Sequence, residues 1–395
     1  PGGAAVEAAG GGRRVLVIRP DASPGTCSVE MLSTLARARH ASAAACFLTP
    51  EGESAALVAG VTATDVPIVQ PDAWRGAWLR GRWRAAVAVR RARARWREAA
   101  ASVQHELYRE LRRHAGDERL PADFRRVLRE TAHRCYDRSV ARRAGAGPFP
   151  RRLLEAPSTF VWPPAATERA RADAAARGVA PGAPVVAFEV CTRPDIAAAA
   201  VRVLEAEGYI VVRVGDRALS APAVPGVVDL ARGEAPARLD LYVLSIARFA
   251  VCGSAWLQQM TYLTNTPSLT ITATDPFSAY PVRANGTFLF RTVVDLDSGR
   301  TLACAELLGE PYFRNRRNCG FRDATAADLI AALREMHHGV TRGWDDSDAQ
   351  RAFRARVVEA AAALAPSVAL AADWGPDDGF IGHGRLARVQ AERVA

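Results

Sequence analysis

The chain has 395 residues, 49% of them apolar, and a formal net charge of +10; that is too long for one hydrophobic core and rich enough for two. All 52 basic residues are arginine. Schiff-base chemistry, a pyridoxal phosphate anchor and a Walker A lysine are therefore excluded, and any phosphate must be met by Arg, backbone N–H groups or hydroxyls.

Residues 1–14 lack the apolar block of a signal peptide and read as a flexible lead-in. Residues 14–19 (RVLVIR) form a short apolar run ending at Pro20, which predicts a buried first strand. A loop with Asp21, Gly25 and Thr26 follows, then a helix over 28–38 with Ser28 as its cap. Residues 43–48 and 66–69 are predicted strands, and their alternation with helices implies a parallel sheet covered on both faces. From 74 to about 143 the pattern is helical. Its first part, 74–97, holds nine Arg, no acidic residue and Trp74, Trp78, Trp83 and Trp96. That composition suits peripheral contact with anionic lipid or an anionic acceptor. The competing readings are a nucleic-acid surface and a solvated helix whose Trp residues pack on the domain.

Residues 159–162 are a predicted strand closed by Pro163-Pro164, the candidate domain boundary. A helix over 167–177 leads into a second series: strand 185–190, helix 196–207, strand 209–214, strand 227–230, then helix, strand (249–252), turn, helix and strand (268–274). A capped amphipathic helix starts at Thr325, and a last long helix runs from 348 to about 364. The division expected is 1–164, 165–347 and 348–395, with the last part packing back on the first. Seven cysteines without a CxxC pair or a Cys/His cluster point to reduced thiols, a cytoplasmic protein and no metal site. No run reaches the ~18 to 20 apolar residues of a membrane span.

Chemistry is expected just after strands, because open α/β sheets bind ligands outside the carboxyl ends of their strands. In the second half these positions are Thr192, Arg193 and Asp195, then Gly215 and Asp216, then Gly253 and Ser254. At the last of them a strand meets a helix, whose first N–H groups lack partners and whose dipole favours negative charge, as a diphosphate requires. The competing reading is an ordinary βα turn. In the first half they are Asp21, Gly25 and Thr26. For proton transfer by a general base, Asp21 is the first candidate and Glu189 the second, with the alternative that Glu189 pairs with an Arg to fix its loop.

Several segments, taken in order, resemble a bacterial family assigned as GT-B glycosyltransferases. They are FEVCTRPD (188–195), EAEGYIVVRVGD (205–216), DLYVLSIARFAVCGSAWLQQMTYLTNTP (240–267), RNCGFRDATAADLIAALREM (317–336) and DDGFIGHGRL (377–386). Near the start, GTCSVEMLSTLARAR (25–39) is similar to the helix after the family's first strand. The chain departs from the family pattern at Ala255 or Trp256, where a second Gly is usual, at Cys252 in place of Gly, and at Thr192-Arg193-Pro194-Asp195, which interrupts an Arg-Asp pair. The resemblance implies an α/β GT-B fold: two Rossmann-like domains facing a cleft, here with a helical insert in the N-terminal domain. It implies a nucleotide sugar held by the second domain, with Arg193, Arg213, Gly215, Asp216, Gly253 and Ser254 as donor contacts. An acceptor (a glycan, a lipid-linked intermediate or a small metabolite) would be held near Gly25 and Thr26 of the first domain, with no metal, no further cofactor and no nucleic acid. Two other readings stay open: a degenerate pair of such domains acting as a binding or scaffold partner, and a nucleotide-sugar isomerase of the same architecture.

Overall fold

The computed structural model describes residues 154–394 apart from 163, 190–193, 216–223, 231–236, 275, 310, 313–317 and 365–380, with short pieces before 154: 6–7, 15–18, 31–32, 35, 38, 44–47, 62–63, 68 and nine positions between 107 and 131. Asp21, Gly25, Thr26, Arg193, Asp216 and the 74–97 segment lie outside the described residues. The chain divides into two compact units. One comprises Pro1–Gly2, Pro71–Phe149 and Ala369–Asp378; the other comprises Gly3–Gln70, Pro150–Val368 and Gly379–Ala395. The described residues of the first unit are mostly helical positions between 107 and 131.

In the second unit the chain opens with β1 (Val6–Glu7), β2 (Val15–Ile18) and β3 (Ala44–Phe47) in a sheet of that order, β2 and β3 being parallel. Between β2 and β3, Met31, Leu32, Leu35 and Ala38 are helical and fully buried, a spacing that gives one apolar face. Where a strand was expected at 66–69, the described Ile68 forms an isolated parallel bridge to Ala45. Next come β4 (Thr62–Ala63) and β5 (Phe160–Val161), paired antiparallel, and α1 (Pro164–Ala175).

The main sheet starts at β6 (Val185–Phe188). It continues through α2 (Pro194–Ala206), β7 (Ile210–Arg213), β8 (Val227–Asp229), α3 (Ala237–Ile246), β9 (Ala247–Cys252), α4 (Ala255–Thr264) and β10 (Ser268–Ala273). After α5 (Pro276–Ala279) come β11 (Gly286–Phe290) and a hairpin, β12 (Thr292–Asp295) with β13 (Cys319–Arg322). Helix α6 (Ala326–Arg342), α7 (Asp348–Leu364), β14 (Arg385–Leu386) and α8 (Arg388–Val394) complete it. The seven strands lie in the order β14-β11-β10-β9-β6-β7-β8, separate from the N-terminal sheet, and every neighbouring pair is parallel.

A parallel sheet needs cover on both faces, so its strands read as unbroken apolar runs. All residues of β6 and β11 are buried. On one face α2 contributes Ile196, Ala197, Ala200, Val201 and Leu204, and α6 contributes Leu329, Ala332, Leu333 and Met336, against Val186, Phe188, Phe249, Val251, Leu269 and Leu289. Helices α3 and α4 contact β6, β9 and β10. Proline at the first position of α1 and of α2 suits a site where no N–H bond is made.

The segment after Asp348 was expected against the first domain. Several of its described residues join the main sheet. β14 extends that sheet beyond β11. Gln350 on α7 donates to Leu386 O at 2.7 Å, and Phe353 packs against Tyr280 and Phe290. The reason is local: Gly382 and Gly384 let the chain run so close to Pro281 that a Cβ at either would overlap it, and that approach delivers Arg385 and Leu386 to the sheet edge.

Candidate functional site

In the seven-stranded sheet the first strand of the series, β6, lies in the interior. β7 and β8 lie to one side, and β9, β10, β11 and β14 lie to the other. The order therefore reverses between β6 and β9, and the crevice outside the carboxyl ends of those two strands is where such sheets bind ligands. Three described turns border it: Glu189 after β6, Gly215 after β7, and Gly253-Ser254 after β9.

The structure brings these residues together. One carboxylate oxygen of Glu189, Oε2, accepts from Gly253 N at 2.9 Å, Ser254 N at 2.8 Å and Ser254 Oγ at 3.0 Å. The side chain is 3% exposed. Glu189 N continues the strand ladder by donating to Val251 O at 3.0 Å, which fixes where the side chain starts. Ser254 is the N-cap of α4, with φ −125° and ψ 154°, and its Oγ accepts from Leu257 N. From β10, Thr272 Oγ1 donates to Gly253 O at 2.8 Å. Three adjacent strands are thus tied across the switch point by side chains.

Gly215 has φ +109°, and a Cβ there would stand 3.2 Å from Glu189 Cγ and Oε1. Only glycine combines that backbone with that clearance. Arg213 is committed sideways: its guanidinium is 3.0 Å from Asp229 Oδ2, joining the ends of β7 and β8. At the end of β11, Arg291 pairs with Asp323 at 3.0 Å and closes the base of the β12–β13 hairpin.

The sequence pointed to unpartnered N–H groups at Gly253-Ser254. In the structure those groups already hold an anion, the protein's own Glu189. A carboxylate there offsets the helix dipole as a phosphate would, and an oxygen that accepts three hydrogen bonds is in the setting of a fixed carboxylate. Thr272 and Asp229 were not read from the sequence. Thr272 carried one weak signal: it is the last of three alternating hydroxyl residues, Ser268, Thr270 and Thr272, in a six-residue strand.

No protein-family model matches the chain, and no curated protein matches it in sequence. Among solved structures it is similar to the Escherichia coli ADP-heptose LPS heptosyltransferase II, at 12% identity and a TM-score of 0.35, over 69% of this chain and 89% of that one. Among the described residues no helix is long and apolar enough to cross a membrane, and no group of three His, Cys, Asp or Glu is placed to hold a metal ion.

Proposed function

We propose that this chain is a glycosyltransferase of GT-B type that moves a sugar from a nucleoside diphosphate donor to an acceptor hydroxyl. The observation that supports it most is the sheet order. A parallel β8-β7-β6-β9-β10-β11 series has two glycine-bearing turns, Gly215 after β7 and Gly253-Ser254 after β9, on either side of the end of β6 at its switch point. In this reading the donor lies along that edge with Arg193 on its diphosphate, since a chain without lysine neutralises a leaving group with Arg and backbone dipoles. Asp21, directly after the first predicted strand, takes the proton of the acceptor hydroxyl.

One observation favours a second reading, a degenerate GT-B protein that binds or scaffolds a partner. Glu189 fills the N–H groups that would otherwise hold a phosphate. Thermal shift against a panel of nucleoside diphosphates separates the two. A ligand at a hundred times its dissociation constant stabilises by about 2.7 kcal/mol, and no shift with any of them decides for the binding partner. Release of the diphosphate only when an acceptor is present then separates transfer from isomerisation. Asp21→Asn should keep nucleotide binding and lose transfer by at least ~10²-fold; near-normal turnover removes Asp21 from the chemistry.

A further inference from the structure

Helix α4 is held at both ends. At its N-cap is the Glu189–Ser254 network. At its C-cap Asn265 has φ +60°, and its backbone N–H bonds Thr261 O. The Asn265 side chain turns to the strap that precedes β5: Ser158 N donates to Asn265 Oδ1 at 2.6 Å, and Asn265 Nδ2 donates to Ser158 O at 2.9 Å.

Arg283 completes the clasp. Its Nε donates to Leu154 O at 2.8 Å, Nη1 to Asn265 Oδ1 at 2.8 Å, and Nη2 to Ala156 O and Tyr262 O, each at 2.9 Å. The guanidinium lies 5.3 Å from the centre of the Tyr262 ring. Two residues beyond Ser158, β5 pairs with β4 of the N-terminal half. A helix of ten residues spans roughly 15 Å and does not bend to absorb a shift at one end. Side-chain hydrogen bonds fix its caps to two different parts of the chain.

We propose that α4 couples the strap to the switch point: Asn265 and Arg283 are positioning residues that act, through the helix, on the turn Gly253-Ser254. The proposal adds to the glycosyltransferase reading, which makes that turn part of the donor edge, but its main test needs no nucleotide. Loosening the strap changes the tilt of α4 and so the fit of its first N–H groups to Glu189. Disturbing Glu189 loosens the strap by the same path. Reciprocity of this kind is what distinguishes coupling from two separate local contacts.

The experiment is amide hydrogen exchange on the full chain, resolving Ser158, Gly253, Ser254 and, as a reference, buried Val212 in β7. Asn265→Gly keeps the left-handed cap without strain and removes only the side-chain clasp. We expect Ser158 to exchange at least ~10-fold faster, Gly253 and Ser254 several-fold faster, and Val212 at its wild-type rate, since local opening is independent of global unfolding. Glu189→Gln should in turn speed Ser158. Acceleration confined to the mutated end overturns the proposal, and so does equal acceleration of Val212. With uridine, adenosine or guanosine diphosphate added to the wild type, bound nucleotide should slow Ser158; a bound nucleotide that leaves Ser158 unchanged also counts against the coupling. If none of the nucleotides binds, the glycosyltransferase reading fails and the two-variant comparison still decides the coupling.

Discussion

Replacing Glu189 by alanine removes the acceptor of the Gly253 and Ser254 backbone N–H groups in a place where the side chain is 3% exposed. Two buried donors without partners cost about 1 to 3 kcal/mol each. The lost charge at the helix N-terminus adds roughly 0.3 to 1 kcal/mol. Because both donors share one turn the terms are not additive, and about 3 to 5 kcal/mol is expected. Glu189→Gln keeps an oxygen in place without the charge and should cost about 1.5 to 3 kcal/mol, the range of one hydrogen bond to a charged group. The assay is denaturant unfolding, read as a midpoint shift at constant slope. Gly215→Ala supplies a cross-check, since its Cβ would press on Glu189: it should be less costly in the Glu189→Ala background, although the strain of its positive φ remains. A Glu189→Ala variant within about 1 kcal/mol of wild type would show that this carboxylate does not hold the turn.

Thr325 caps α6 by accepting from Asp328 N at 3.1 Å, so Thr325→Ala should cost about 1 kcal/mol, measurable in the same unfolding experiment; no change would mean that another group caps the helix. Glu306 is held down to about 2 first by its hydrogen bonds from Arg300 and then by Ala303 N. A depressed carboxyl contributes stability that is present above its unfolded value, near 4.5, and is lost as the pH falls through the folded value. The pair is well exposed, 58% and 40%, so solvent screening keeps the effect small. Arg300→Ala should flatten that part of the stability profile between pH 4.5 and 2, and an unchanged acid limb would refute the assignment. Desolvation at a half-buried position pushes the Cys304 thiol up to about 12, so at pH 8 it should resist alkylation in the folded chain and react on unfolding; rapid native labelling, followed by mass spectrometry, would contradict that shift.

What the sequence determined by itself is local. The run VVAF, apolar on both sides, makes a doubly covered strand at β6, and the period of apolar residues makes the buried faces of α2 and α6. Thr325 marks the start of α6 because its hydroxyl and the first N–H groups are neighbours in sequence. The glycine-bearing turns after β7 and β9 were legible for the same reason. The hairpin of β12 and β13, the two residues of β14 and short α8 were not legible, because their stability comes from the edge they join and from contacts such as Gly382 against Pro281.

The occupant of the α4 N-terminus was also beyond sequence reasoning. Glu189 and Ser254 are 65 residues apart and meet only because β6 and β9 are adjacent at the point where the strand order reverses. The partner of Arg213 was equally hidden: the register of β7 with β8 sets it opposite Asp229. A sequence specifies which groups can hydrogen-bond or carry charge. Which of them are left for a ligand depends on what the fold brings within 3 Å of each, and that is settled by strand order and register, set by packing between segments distant in the chain.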